Sequence, residues 1–178
     1  IAPGVRIELL GTMLVADKQA YVLSALFSVI TALAALMSPS HQREHGWEMG
    51  EYYGVMLLSA SGMVMLAHAS NLVTVFLGIE TMSIGVYVMT AMRRKSRRGN
   101  EAAMKYFLIG AFATGFLVYG MALLYGTGGT ASLLKMQGAL SQTQNPGLVI
   151  AGGFLLIVAF GFKVAAVPFH MWAPDAYE

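Results

Sequence analysis

The sequence predicts an all-α membrane protein: a polytopic helical bundle of about five spans, forming a single membrane domain over residues 1–178. The last of its helices is expected to break near Pro168. Three observations carry this expectation. The chain is 57% hydrophobic and only 11% charged, against about 25% charged in ordinary soluble domains. Apolar runs long enough to cross a bilayer recur at about 20–37, 50–67, 70–92, 101–125 and 147–167. Twenty glycines and five prolines, many of them inside those runs, fit a helical membrane bundle.

The absence of cysteine excludes disulfides, thiolate metal sites and iron–sulfur clusters on these residues. Eleven basic residues against nine acidic ones leave a net charge of only +2, so placement matters more than sum. The chain opens Ile-Ala-Pro, without an initiator Met or a signal-peptide pattern, and stops at Glu178 after a Pro-rich turn. A piece of a longer membrane protein is the expectation.

Residues 1–18 mix Pro3, Gly4, Arg6, Glu8, Asp17 and Lys18 with apolar residues and read as a membrane-edge segment. Ala20–Met37 has eighteen uncharged residues, about the minimum for a span. Its small residues Ala25, Ser28, Ala32 and Ala35 make a close-packing face. The polar stretch 38–49 contains His41 and His45, four apart. They lack an evident third metal ligand, and Pro39 marks the stretch as a solvated loop. The second run carries a Met56, Met63 and Met65 stripe, ordinary adaptable packing. His68 to Asn71 then form a tight turn, with Ser70 or Asn71 as the N-cap of the next helix. His68, at this edge, reads as interfacial packing, with proton passage as the alternative.

The chain is organised around the run 70–92. Its 23 residues make a helix of roughly 34 Å. Near the midpoint stands Glu80, whose insertion at membrane depth costs roughly 2.5–3.5 kcal/mol. Ser83 and Tyr87 extend it into a polar stripe, and Gly78 and Gly85 lie nearly opposite, open to a neighbouring helix. A carboxylate that only locks packing is the alternative to ion handling. Arg93 to Arg98 hold five basic residues in six; between two apolar runs this is a cytoplasmic flank beside anionic lipid headgroups rather than a nucleic-acid site.

Asn100 is placed as the cap of the fourth run, one turn before Lys105. That lysine either snorkels to the interface or acts in the membrane. Gly126-Thr127-Gly128-Gly129 matches neither a P-loop nor a dinucleotide fingerprint and is read as a helix stop. A polar loop with one short surface helix follows over 130–144. Asn145-Pro146 starts the fifth run, which reaches Phe162 before meeting Lys163. Pro168 and Pro174 cannot donate to the carbonyls of Val164 and His170. Freed carbonyls at membrane depth need a cavity or protein around them, so Lys163 before the break marks a wet site. A simple kink beside a snorkelling lysine is the alternative.

Counting runs places 38–49, 93–100 and the carboxyl end on one side, which holds more Lys and Arg and is expected to be cytoplasmic. Glu80, Lys105, Lys163 and His170 then form a set of titratable groups in apolar surroundings, the make-up of a proton path.

FLGIE at 76–80, EAAMKYFLIGAF at 101–112, LLYGTGGT at 123–130 and GFKVAAVPFHMWAPDAYE at 161–178 carry a resemblance. From about Glu51 onward the chain resembles the antiporter-like subunits of respiratory complex I, the proton-translocating NADH:quinone oxidoreductase, and subunit N (chain 2) in particular. FLGIE and the Lys163 block are shared with multisubunit cation/proton antiporters, while the 101–112 and 123–130 text is more particular to subunit N. The resemblance implies an antiporter-like inverted-repeat fold with a discontinuous final helix. It assigns Glu80 as the intramembrane Glu, Lys105 as the Lys of the next helix, and Lys163 as the central Lys. It also implies a non-redox part in a translocase enzyme, with no cofactor on this chain and with flavin and iron–sulfur clusters on partner subunits. The partners are other membrane subunits, and the location is a bacterial inner membrane or an equivalent energy-coupling membrane. A subunit of a multisubunit cation/proton antiporter is the alternative. The second repeat that the family carries is absent from these residues.

Overall fold

A computed structural model describes residues 6–44, 46, 50–92 and 96–177, with the side chains of 175 and 177 outside that description. His45 and the basic residues 93–95 therefore lie outside the described residues. The chain divides into two compact units, Ile1–Arg93 and Arg94–Glu178.

The first unit opens on a feature the composition did not announce. Strands β1 (Ile7–Leu9) and β2 (Leu14–Ala16) pair antiparallel, with Ile7 opposite Ala16 and Leu9 opposite Leu14. The chain reverses through Leu10 (φ 50°) and Gly11 (φ 72°), and only the glycine takes that conformation without steric cost. Helix α1 (Lys18–Glu44) follows, then α2 (Glu51–Ala67) and α3 (Leu72–Ala91).

Helix α1 is longer than its apolar run: its 27 residues span about 40 Å. It runs straight through Pro39, where a solvated loop was expected, and carries His41 with it. One proline removes one ladder donor. Beside the gap the Ser38 hydroxyl donates to the Ala34 carbonyl at 2.6 Å, and the helix-compatible residues beyond keep the winding.

Helices α2 and α3 pack at backbone distance. A Cβ on Gly62 would overlap the Met82 and Gly78 backbone, one on Gly85 would come within 2.7 Å of Ser59 Cβ, and one on Gly78 would lie 3.1 Å from the Gly62 carbonyl. Ser59 donates to the Met82 carbonyl at 3.0 Å across this seam. The small-residue side of α3 thus takes a close neighbour, as its sequence predicts.

The turn between α2 and α3 is stitched to the β1–β2 hairpin. Val15 N–H donates to His68 O at 2.8 Å, Ser70 N–H to Met13 O at 3.1 Å, and Ser70 Oγ to Thr12 O at 2.8 Å. Asn71 is the cap of α3, its side chain accepting from Val73 N–H at 2.9 Å.

The second unit holds α4 (Arg97–Gly128), α5 (Leu133–Ser141), α6 (Pro146–Lys163) and α7 (Ala173–Tyr177). Asn100 does not cap α4. The helix starts four residues earlier than placed, because Ser96 Oγ already accepts from Gly99 N–H at 3.1 Å and winds Asn100 into the first turn. Gly129, at φ 64°, ends it, with its N–H on Tyr125 O at 2.7 Å. Helix α6 packs on α4 through Gly120 and Gly152, where a Cβ on either would stand 2.9–3.1 Å from the carbonyl of the other.

Four of these helices, α1, α3, α4 and α6, are long and apolar enough to cross a membrane, and α2 is a shorter apolar helix of 17 residues. With the four, the chain has the helical make-up of an integral membrane protein.

Candidate functional site

Glu80 is the ninth residue of α3 and is half-buried. Two turns of its stripe are sealed: Ser83 is 1% exposed and donates to the Ile79 carbonyl at 2.6 Å, and Tyr87 is buried above it. A carboxylate in the middle of an unbroken helix has every neighbouring backbone donor engaged in the ladder. Its charge can therefore be met only by side chains or water.

For His68 the sequence offers packing or proton passage. Its Nδ1 lies 2.8 Å from Val15 O and its Nε2 3.0 Å from Ser24 Oγ. A carbonyl only accepts, so Nδ1 carries the proton, and Nε2 accepts from the serine hydroxyl. Tyr21 meets the ring edge-on at 5.6 Å. His68 thus ties α1, β2 and the end of α2 together.

The second unit holds the other three candidates. Lys105 lies nine residues into α4 and pairs with Glu101 at 2.9 Å, one turn toward the helix start. Its side chain is 48% exposed, so the pair is worth about 0.5 kcal/mol or less. Lys163 is the last residue of α6 and half-buried, with Nζ 5.9 Å from the Phe162 ring centroid. His170 is exposed in the irregular segment that follows.

The helix break is built differently from the proline argument. Helix α6 stops at Lys163, five residues before Pro168. Ala166 N–H donates to Gly161 O at 2.8 Å and Ala165 N–H to Phe162 O at 3.0 Å, with Ala165 at φ 51°. This is a Schellman end, with alanine where glycine is usual. Pro168 follows a helix already closed, and Pro174 sits in the first turn of α7, where a missing N–H costs nothing. The chain then folds back: Phe169 covers Gly161, 3.3 Å from where a Cβ would stand, and Trp172 is buried to 5% exposure.

Lys163 therefore sits where the α6 carbonyls point out of the helix, and the last-turn partial negative charge suits a cation there. What sequence reasoning missed is the aromatic support beneath it. Trp172 stacks on Tyr106 at 4.3 Å, and Phe162 completes the cluster. The indole in HMWAPDA was the available signal, but its partner lies 66 positions away on another helix. Among the described residues no three His, Asp or Glu side chains converge to hold a metal.

Comparison with known proteins agrees with this architecture. Residues 69–178 match the transmembrane family described as NADH:quinone oxidoreductase/Mrp antiporter. NADH-quinone oxidoreductase subunit N of Myxococcus xanthus is 47% identical over 92% of this chain, which covers 32% of that protein. In a structure of respiratory complex I from Thermus thermophilus with bound aureothin, one chain superposes with a TM-score of 0.74 at 32% identity, over 98% of this chain and 36% of that one. A chain of an archaeal membrane-bound sulfane sulfur reductase superposes at 0.77 with 26% identity, over 99% and 35%. The chain thus spans about a third of the length of the proteins it matches. On a match over more than half of its length, the chain belongs to the NADH:quinone oxidoreductase/Mrp antiporter transmembrane family.

Proposed function

We propose that this chain is the part of a membrane subunit that moves protons through Glu80, Lys105, Lys163 and His170, within a respiratory NADH:quinone oxidoreductase assembly. The observation that carries the reading is Lys163 as the last residue of an apolar helix, where the backbone turns irregular; inside a membrane, irregular backbone survives only against protein or a wet cavity. There a lysine holds a proton while hydrated and charged, and passes it on when its surroundings favour the neutral amine. Glu80, half-buried in an unbroken helix, is a second group able to bind and release a proton. Lys105, paired with Glu101 near one end of α4, is the entry or exit group, and His170 lies seven residues past Lys163 on the far side of the break.

No redox step is assigned to this chain. Flavin and iron–sulfur chemistry belong to partner subunits, and other membrane subunits surround the helices. The run Arg93 to Arg98 faces the cytoplasm of a bacterial inner membrane, or its equivalent in another energy-coupling membrane, against anionic headgroups. The matched family covers Mrp antiporters as well, so a gradient-driven cation/proton antiporter is the second reading. Co-purification with a flavin and iron–sulfur assembly separates the two.

The test is proton uptake by sealed vesicles during NADH-driven quinone reduction, with assembly checked on a native gel. Lys163→Met, which cannot titrate, and Lys163→Arg, which does not release its proton, are both expected to lower protons moved per electron by at least about tenfold, a modest share of what a positioned proton-transfer group contributes. If both move protons at the wild-type ratio, the break at Lys163 is a structural turn and the reading is wrong.

A further inference from the structure

Tryptophan in a membrane protein usually sits at the interface with its N–H toward headgroups or water. Trp172 does neither: its ring is 5% exposed and its indole N–H donates to the Phe162 carbonyl at 3.3 Å. That carbonyl also accepts from Ala165 N–H at 3.0 Å, one of the two bonds that close the end of α6. The indole thus binds the carbonyl that immediately precedes Lys163.

The ring does a second task. It lies parallel to Tyr106, 14° between planes at 4.3 Å, and meets Phe162 at 5.3 Å. Tyr106 is 7% exposed and Phe162 is 2% exposed. Tyr106 follows Lys105 on α4, and Phe162 precedes Lys163 on α6. One buried aromatic layer therefore holds the two backbones from which both lysines project. Apolar burial alone would accept the ring in many orientations. A stack plus a directed hydrogen bond accepts one.

We propose that Trp172 is a positioning residue for Lys163: by capping the Phe162 carbonyl and stacking on Tyr106, it sets where α6 ends and holds the Lys163 backbone against that of Lys105. The role rests on the reading of Lys163 as a proton-carrying group. Proton transfer between side chains is steeply sensitive to their spacing, so a loosened helix end degrades transfer even when the lysine itself is intact.

The experiment uses the assembled complex with Trp172→Phe, which keeps a ring and loses the N–H, beside Lys163→Met and wild type. Protons moved per electron are measured across a pH series in sealed vesicles. Trp172→Phe is expected to lower the ratio severalfold and to displace its pH profile. An assembled Trp172→Phe complex with the wild-type ratio and profile overturns the proposal, as does reduced assembly with a normal ratio in what assembles. Should Trp172→Phe not assemble, 1-methyltryptophan at position 172 keeps the ring and blocks the donor, and the same outcomes apply. Hydrogen–deuterium exchange at Ala165 and Ala166 reads the latch independently of pumping. These amides are expected to exchange roughly fivefold to tenfold faster in Trp172→Phe, the worth of one buried hydrogen bond. Unchanged exchange overturns the latch. Faster exchange together with wild-type pumping by Lys163→Met keeps the latch and places the failure in the proton reading of Lys163.

Discussion

In the first unit Glu80 stands at the ninth residue of an unbroken 20-residue helix, while in the second Lys163 is the final residue of α6. Around Glu80 the backbone is closed: Ser83 bonds the Ile79 carbonyl on the same helix, and Ser59 of α2 bonds the Met82 carbonyl. Around Lys163 the backbone is opened and then finished by turn bonds and an indole. The carboxylate sits midway between the helix termini, where the dipole acts on it least, whereas the ammonium sits at the negative end of a helix. The contrast teaches that the two groups proposed to carry protons occupy two different physical settings. The acid depends on its side-chain surroundings, and the base also depends on where its helix stops.

If that contrast is right, changes at Lys163 have the largest effect. Lys163→Arg, which keeps the cation at the helix end, is expected to fall with Lys163→Met in protons moved per electron, since release rather than charge is lost. Recovery by arginine would show that the helix end needs only a cation. Glu80→Gln comes next, assembling well but translocating poorly, with Glu80→Asp retaining more because it still titrates; normal translocation by an assembled Glu80→Gln would return the residue to a packing role. The difference in backbone closure gives a stability prediction. Gly62→Ala forces a methyl into the α2–α3 seam and is expected to destabilise by about 1–3 kcal/mol. Gly115→Ala, with open space around its Cβ position on α4, is expected to stay within about 0.5 kcal/mol of wild type or to gain helix propensity. Thermal unfolding of the detergent-solubilised complex compares them, and equal midpoints would remove the claim that the seam is set by glycine. Lys105→Met is the smallest change, losing a half-exposed ion pair worth about 0.5 kcal/mol or less. A proton ratio lowered as far as by Lys163→Met would move Lys105 from the edge of the path to its centre.

Several features were decided within a few residues and so were legible in the chain itself. The membrane class follows from composition, the helices from long apolar runs, and the close α2–α3 approach from Gly78 and Gly85 on one side of a helix. Asn71 as cap, Pro146 at the start of α6 and the glycine stop at Gly129, which lets α4 run to Gly128, three residues beyond the expected end at Tyr125, are likewise effects of neighbouring residues. Where two local signals competed, order along the chain did not rank them. Ser96 captured the start of α4 ahead of Asn100, α1 wound past Pro39, and α6 closed at Lys163 before Pro168 was reached.

The remaining features needed distant parts of the chain to meet. The β1–β2 hairpin is too short to be stable alone, and it is held because its second strand meets residues 68–70, with His68 bonding both Val15 and Ser24. The same holds at the other end of the sequence. Composition and motif placed Lys163 in an apolar run before a break, but neither the site of the break nor the burial of Trp172 follows from local preference. The burial of Trp172 depends on Tyr106 lying beneath the returning chain. Hydrogen bonds and stacking act over a few ångströms, and only the packed α4–α6 pair brings residues so far apart in sequence within that range.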